Sequence, residues 1–306
     1  MKDSLLILKT SISKETIFIF GKIITIITVF VVSLLIINKC HSWFYDSLVG
    51  KNLLLSINYI ILYICLMFFG SICESELQYQ KRIFSIKTRI NLYNYYNTDV
   101  LDDQLCPLSC QRMSQDISQF GMQFIHLFSL LFQSILILPS FIIVLSNIIN
   151  PMIVLGAVVY AFLLSILGRR IGKPVVQLQY TQESIEGHLR RDLITELHKK
   201  KDKILPSLTE VSANFIKFSK KERILMYIKN CSDRISHSIP YIVMMPYYFM
   251  GIITLGVMVQ GGIALSKIIT EMNFFVNNID KIVEFKATTQ RIMELNDIKI
   301  KIDSSK

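Results

Sequence analysis

The residues with the clearest capacity for chemistry lie in one stretch, Ile263 to Phe285. Wound as a helix at about 100° per residue, Lys267, Thr270, Glu271, Asn273, Asn277, Asn278, Asp280, Lys281 and Glu284 share one side. Ile268, Ile269, Met272, Phe275, Val276, Ile279, Ile282 and Val283 take the other. Glu271 and Glu284 can take up and release protons. Lys267 and Lys281 can hold an anion or neutralise a carboxylate one turn away. An ionisable group in hydrocarbon is penalised by at least about 2.5 kcal/mol, so such a face turns toward water or a partner. Lys267, Thr270, Asn277, Asn278 and Lys281 are therefore expected to line a wet cavity, with Glu284 or Glu271 as the proton-coupling acid. The structural alternative is a charge-neutral Lys267–Glu271 pair that only permits insertion.

A second set of acids, Glu183, Glu186, Asp192 and Glu196, lies among Arg190, Arg191 and Lys199–Lys201. It reads either as a solvated helix face or as a carboxylate ladder whose mutual repulsion favours proton uptake. Other chemistries lack their residues. No G-x-x-x-x-G-K-[ST] phosphate cradle occurs, and Gly261-Gly262 is followed by Ile263-Ala264. No H-E-x-x-H or G-x-S-x-G is present, and Cys106-x3-Cys110 has no second pair at zinc spacing. The expectation is a transporter and not an enzyme, with no metal and no cofactor.

The elements that carry these residues follow from the distribution of apolar side chains. Of 306 residues 52% are hydrophobic and only 18% charged, and the mean hydropathy is +0.45. A bilayer core of about 30 Å needs roughly 20 apolar residues in a helix. Spans are expected near 17–37, 53–73, 123–146, 152–168, 238–259 and 263–285, within a single transmembrane domain covering 1–306. The first follows Lys2, Lys9 and Lys14 but lacks a small-x-small cleavage site, so it reads as a retained span. The intervening segments 75–122 and 169–237 are rich in helix formers and read as cytoplasmic helical loops, broken near Cys106-Pro107 and Leu205-Pro206-Ser207. On this plan 28 Lys and Arg lie on one side of the membrane and two, Lys39 and Lys51, on the other. That bias places both termini and both long loops in the cytoplasm. The net charge of +10 is read as orientation and attraction to anionic lipid headgroups, not as nucleic-acid binding.

With this topology in place, three fragments become specific. Cys110-Gln111-Arg112-Met113-Ser114-Gln115-Asp116-Ile117-Ser118-Gln119-Phe120 resembles the Q-R-x-x-E-D-x-x-x-F signature of the SbmA/BacA peptide-antibiotic transporters, matching at Gln111, Arg112, Asp116 and Phe120. Gln115 stands where that family has Glu. Ile185-Glu186-Gly187-His188-Leu189-Arg190-Arg191-Asp192-Leu193 is similar to its V-E-A-x-x-R-K-E-L. Gly251-Ile252-Ile253-Thr254-Leu255-Gly256-Val257-Met258-Val259-Gln260 follows, with Asn277, Glu284 and Arg291 at the family's offsets. The resemblance covers Tyr79 to Leu295, and the chain is shorter than that family at its N-terminus.

This resemblance implies an all-α membrane protein with the six-span fold of an ABC exporter transmembrane domain, lacking the ATPase. It further implies a homodimer in the bacterial inner membrane that imports peptides or peptide-like compounds with protons. Two alternatives stand beside it. The chain is the membrane subunit of an ABC transporter whose ATPase is a separate subunit, or it is a non-transporting remnant of the fold, since family acids elsewhere correspond to Gln179 and Leu197 here. Arg112 and Asp116 are expected to pair one turn apart, stiffening a cytoplasmic bend.

Overall fold

A computed structural model describes residues 13–97, 115–148, 204–272, 278 and 281–293, with isolated helical positions between 156 and 193. The described residues are almost wholly helical, without a strand among them. Helix α1 is Lys14–Val49, α2 is Leu53–Asn97, α3 is Ile117–Ser146, α4 is Ile204–Phe249 and α5 is Leu255–Met272. A last helical segment occupies 281–293. Among the described residues α1, α2 and α3 are long and apolar enough to cross a membrane. The chain is an all-α membrane protein.

Local chemistry sets the helix ends. Ser13 caps α1: the Thr16 amide donates to Ser13 Oγ at 3.3 Å, and the Ser13 amide donates to Thr16 Oγ1 at 2.7 Å. This reciprocal pair satisfies two otherwise orphaned donors. The exit from α1 is a tight turn in which Lys51 adopts φ 50, and Asn52 Oδ1 accepts from the Leu55 amide to start α2. Ser47 and Ser56 hydroxyls then bond at 2.9 Å across the hairpin, removing both from the apolar surroundings. At the other end Glu15 and Lys87 pair at 2.7 Å. The Lys87 ammonium holds the Glu15 carboxyl below the usual carboxylate range, but both groups are wet and the pair adds little.

Packing follows helical periodicity. Ile19, Ile23, Ile27 and Val31 form one buried stripe on α1, meeting Leu77 and Phe84 of α2, Ile125, Ile137, Phe141 and Leu145 of α3, and Leu265, Ile268 and Ile269 of α5. A separate cluster of Leu92, Tyr96, Ile117, Phe120 and Ile292 ties the far ends of α2 and α3 to the segment 281–293. Burial pushes the Tyr96 phenol up to about 12, with Tyr95 adding to it; Tyr96 is a packing residue. By contrast, only 11% of the apolar window of α2 is buried. Leu53, Leu54, Ile61, Phe68 and Ile72 point outward, as expected of a surface facing lipid or a second copy.

The structure moves two expected boundaries. The break between the last two spans, placed at 260–262 by hydropathy, falls at 250–254 instead: α4 ends at Phe249 and α5 begins at Leu255. Gly251 takes φ +72, a conformation open to glycine, and supplies the reversal. Gly261 and Gly262 lie inside α5 as buried packing positions. In the described part of the expected helical segment 169–237, α4 runs unbroken from Ile204 through Pro240 and Pro246 to Phe249, so the helix continues directly into the following span. Pro206 sits in its first turn, where an amide proton would have no helical acceptor. Most of 152–168 and all of 98–114 lie outside the described residues.

Candidate functional site

Polar contacts between helices concentrate at three levels of the bundle. At the α4–α5 turn, Asp46 of α1 reaches across to the start of α5. Its Oδ1 accepts from the Gly256 amide at 2.8 Å and its Oδ2 accepts from the Thr254 hydroxyl at 3.0 Å. The Thr254 hydroxyl also accepts from the Val257 amide at 3.3 Å. A carboxylate from another helix thus caps α5, where the unpaired amides and the helix dipole favour negative charge. Helix α1 comes so near that a Cβ on Gly256 would strike the Ser42 carbonyl oxygen and meet Asp46 Cγ at 2.6 Å. Gly251, Thr254 and Gly256, singled out by resemblance, therefore build this joint, and Gln260 is buried one turn further on. Asp46 itself was missed, since a lone acid at a helix end gives no sequence signal for its partner.

In the middle of the bundle, Ser134 Oγ of α3 donates to Glu271 Oε2 at 2.5 Å. Ser134 is 5% exposed. Glu271 stands 16 residues into α5, about 24 Å from its start at 1.5 Å per residue. That length is less than the roughly 30 Å thickness of a bilayer core. No ion pair joins Lys267 to Glu271 among the described residues; the serine, not the lysine, is the partner found. Thr270 is exposed and its hydroxyl donates to the Ser266 carbonyl. Asn277 lies outside the described residues.

Nearest the first loop, Arg291 Nε lies 3.1 Å from each Asp116 carboxylate oxygen and its Nη2 donates to Thr288 Oγ1 at 3.3 Å. Phe120, one turn beyond Asp116 and fully buried, stacks on Phe285 with centroids 5.5 Å apart. The first and third fragments found in the sequence thus meet, making a joint between α3 and 281–293. Arg112 and Gln111 lie outside the described residues, and with them the expected Arg112–Asp116 pair; among the described residues Asp116 pairs with Arg291. The Asp116 side chain is 10% exposed and that of Arg291 38%, intermediate between surface and buried pairs. A double-mutant cycle on Asp116→Ala and Arg291→Ala, read by thermal unfolding, should give a coupling of about 1–2 kcal/mol. Additive single effects would sink the idea of a strut.

The remaining expected residues are dispersed. Glu284 is exposed on 281–293, and Lys281 Nζ donates to Asn278 Oδ1 at 3.3 Å. Glu186 Oε1 accepts from Gln182 at 3.0 Å, and Gln182 Oε1 accepts from Asn214 of α4 at 2.9 Å. That places Glu186 at the end of an amide relay between helices. Asp192, Glu183 and Glu196 lie outside the described residues.

The profile of the ABC transporter transmembrane region 2 family matches residues 5–204. The chain belongs to that family. An uncharacterized ABC transporter ATP-binding protein of Synechocystis sp. (strain ATCC 27184 / PCC 6803 / Kazusa) is 24% identical over 197 residues, covering 60% of this chain and 30% of that relative. The chain thus spans less than a third of the length of this curated relative. The ABC transporter transmembrane region 2 match takes in α1, α2 and α3, including the N-terminal part where the sequence fragments gave no likeness. With its apolar helices, membership makes this a multi-pass membrane protein of the transport class.

Proposed function

We propose that this chain is a homodimeric transporter of the bacterial inner membrane that imports peptides or peptide-like compounds, driven by the proton gradient, with both termini cytoplasmic. The single observation that carries the reading is Glu271, a carboxylate on the apolar helix α5 hydrogen-bonded by Ser134 of another helix. A carboxylate held there has a neutral partner and can exchange a proton without breaking an ion pair. The three SbmA/BacA-like fragments supply the substrate class, and the outward apolar face of α2 offers room for a second copy.

A second reading is favoured by the Synechocystis relative, whose name includes ATP binding. On that reading an ATP-hydrolysing partner supplies the energy. Purified chain in liposomes separates the two. Peptide uptake driven by an imposed pH gradient without nucleotide supports the first. Uptake that needs ATP and an added ATP-binding chain supports the second, and uptake in neither condition overturns both. Orientation is tested by cysteine labelling of sealed cells, starting from a cysteine-free background. A cysteine at Lys51 should react with an impermeant reagent and one at Ser207 should not; the reverse pattern inverts the topology.

A further inference from the structure

Lys81 of α2 is a lysine on the apolar face of its helix. It is 4% exposed and falls between Leu77 and Phe84, both core residues. No hydrogen bond or ion pair reaches its ammonium among the described residues. A charge held largely out of water is unfavourable, so a folded protein that keeps one normally supplies a counter-charge. The neighbouring helices supply the opposite.

The placement follows from three aromatic rings. Phe84 of α2 and Phe124 of α3 lie 6.3 Å apart between centroids, and Phe124 and Phe285 also lie 6.3 Å apart. Helices α2 and 281–293 both run antiparallel to α3, so they run parallel to each other. Lys81 precedes Phe84 by three residues and Lys281 precedes Phe285 by four, so both lysines stand one turn from the ring cluster, on the same side. The Lys81 and Lys281 charges are near enough to repel each other. Both charges also reach His126, half-buried on α3. Lys281 has a neutral contact, Asn278, and Glu284 one turn away makes no ion pair with it among the described residues. Three basic side chains from three helices thus converge, and among the described residues no carboxylate is bonded to either lysine.

We infer that Lys81 and Lys281, with His126 beside them, form a binding site for an oxyanion next to the Phe84–Phe124–Phe285 cluster, on its side away from the first loop. The ligand carries a phosphate or carboxylate group, which two ammonium donors hold by charge-assisted hydrogen bonds. It comes either from a solute in the vestibule or from the headgroup of an anionic lipid. The site stands whichever energy source drives the chain and does not involve Glu271.

The test uses the purified full-length chain in phosphatidylcholine nanodiscs, with inorganic phosphate or acetate titrated against chloride at constant ionic strength. A parallel set of nanodiscs contains phosphatidylglycerol. A ligand that binds only the folded state raises Tm with its concentration. The wild type should show that rise, and Lys22→Met should keep it as a control for general charge. Lys81→Met and Lys281→Met should weaken the response by about tenfold or more in concentration, the loss expected of one charge-assisted bond. Lys81→Met keeps the apolar stem of a largely buried lysine and is expected to fold; Lys281 is exposed, so its replacement gives an independent variant. A rise with phosphate or acetate in phosphatidylcholine assigns a solute anion, and a rise only with phosphatidylglycerol assigns a lipid headgroup. No rise under any condition overturns the site, as does an equal rise in wild type and both lysine variants.

Discussion

Gly256→Ala should destabilise the folded chain by about 3 kcal/mol or more, seen as a fall in Tm and in the yield of folded protein from membranes. The reason is backbone against backbone. The added Cβ would strike the Ser42 carbonyl oxygen of α1 and meet Asp46 Oδ1 at 2.7 Å. The Ser42 oxygen is backbone and the Asp46 carboxylate is tied to the Gly256 amide, so α1 and α5 must separate. Overpacking of this kind is penalised by about 1–3 kcal/mol, and separation also strains the Asp46 cap, itself worth about 1 kcal/mol. Two other glycines calibrate the result. Gly251→Ala meets nothing within 4 Å but must hold φ +72, for a loss of about 1 kcal/mol. Gly262→Ala would touch the Tyr241 ring at 3.4 Å, an ordinary contact, and should stay within about 0.5 kcal/mol of wild type. Asp46→Ala should fall between, at about 1–2 kcal/mol. If Gly256→Ala behaves like Gly262→Ala, α1 does not approach α5 this closely.

That glycine shows why part of the architecture was legible in the sequence and part was not. Apolar runs such as Leu53–Cys73 depend only on composition and length, so helices spanning a bilayer could be read directly. The reversal at 250–254 could not be located by hydropathy, because Met250, Ile252 and Ile253 are as apolar as the helices they join. Its marker is Gly251, and nothing in the chain distinguishes that glycine from Gly261 and Gly262, which pack inside a helix. Long-range partners were equally hidden. Asp116 has basic candidates both nearby and far away, and only the fold brings Arg291 to it across 175 positions. Lys81 left a readable trace, since it sits between Leu77 and Phe84 on the face that periodicity marks as inward. A lysine at a core position of a membrane helix is a departure from pattern that sequence reasoning could have followed.

The polar face of the last span was legible as a set and not residue by residue. Lys267, Thr270 and Glu271 share a side by periodicity, yet they meet different surroundings, because the neighbours belong to helices far away in sequence. Ser134 lies in an apolar run as one small hydroxyl among many, and its hydrogen bond to Glu271 spans 137 positions. Glu284 resembles Glu271 chemically but stands exposed on 281–293, where water screens its charge. A place on an apolar helix and a neutral partner favour Glu271, while motif position favours Glu284; the two are separable by mutation.

Glu271→Gln should abolish uptake driven by a pH gradient while leaving the protein folded. Glutamine keeps the shape and can still accept from Ser134 Oγ through its carbonyl oxygen, but it can neither take up nor release a proton. The structural contact and the proton chemistry are thereby separated. Ser134→Ala tests the other half. It leaves the carboxylate able to titrate but removes its donor, so uptake should persist with an altered pH profile, and stability should fall by about 1–2 kcal/mol for a bond to a charged group. Glu284→Gln removes an exposed charge without an ion pair among the described residues and should leave gradient-driven uptake within about twofold of wild type. Lys267 needs a control, because neutralising Glu271 changes the charge balance one turn away and a failure of insertion would imitate a failure of transport. Protein level and Tm must therefore be measured with uptake for each variant, and the Lys267→Gln, Glu271→Gln double variant checks whether insertion depends on the two charges together. If Glu271→Gln accumulates normally and its uptake still follows the imposed gradient, Glu271 is a structural acceptor for Ser134. If Glu284→Gln alone is inactive under the same conditions, the coupling acid lies on 281–293. Gradient dependence lost in Glu271→Gln alone, with level and Tm unchanged, leaves the Ser134-bound carboxylate as the group through which protons pass.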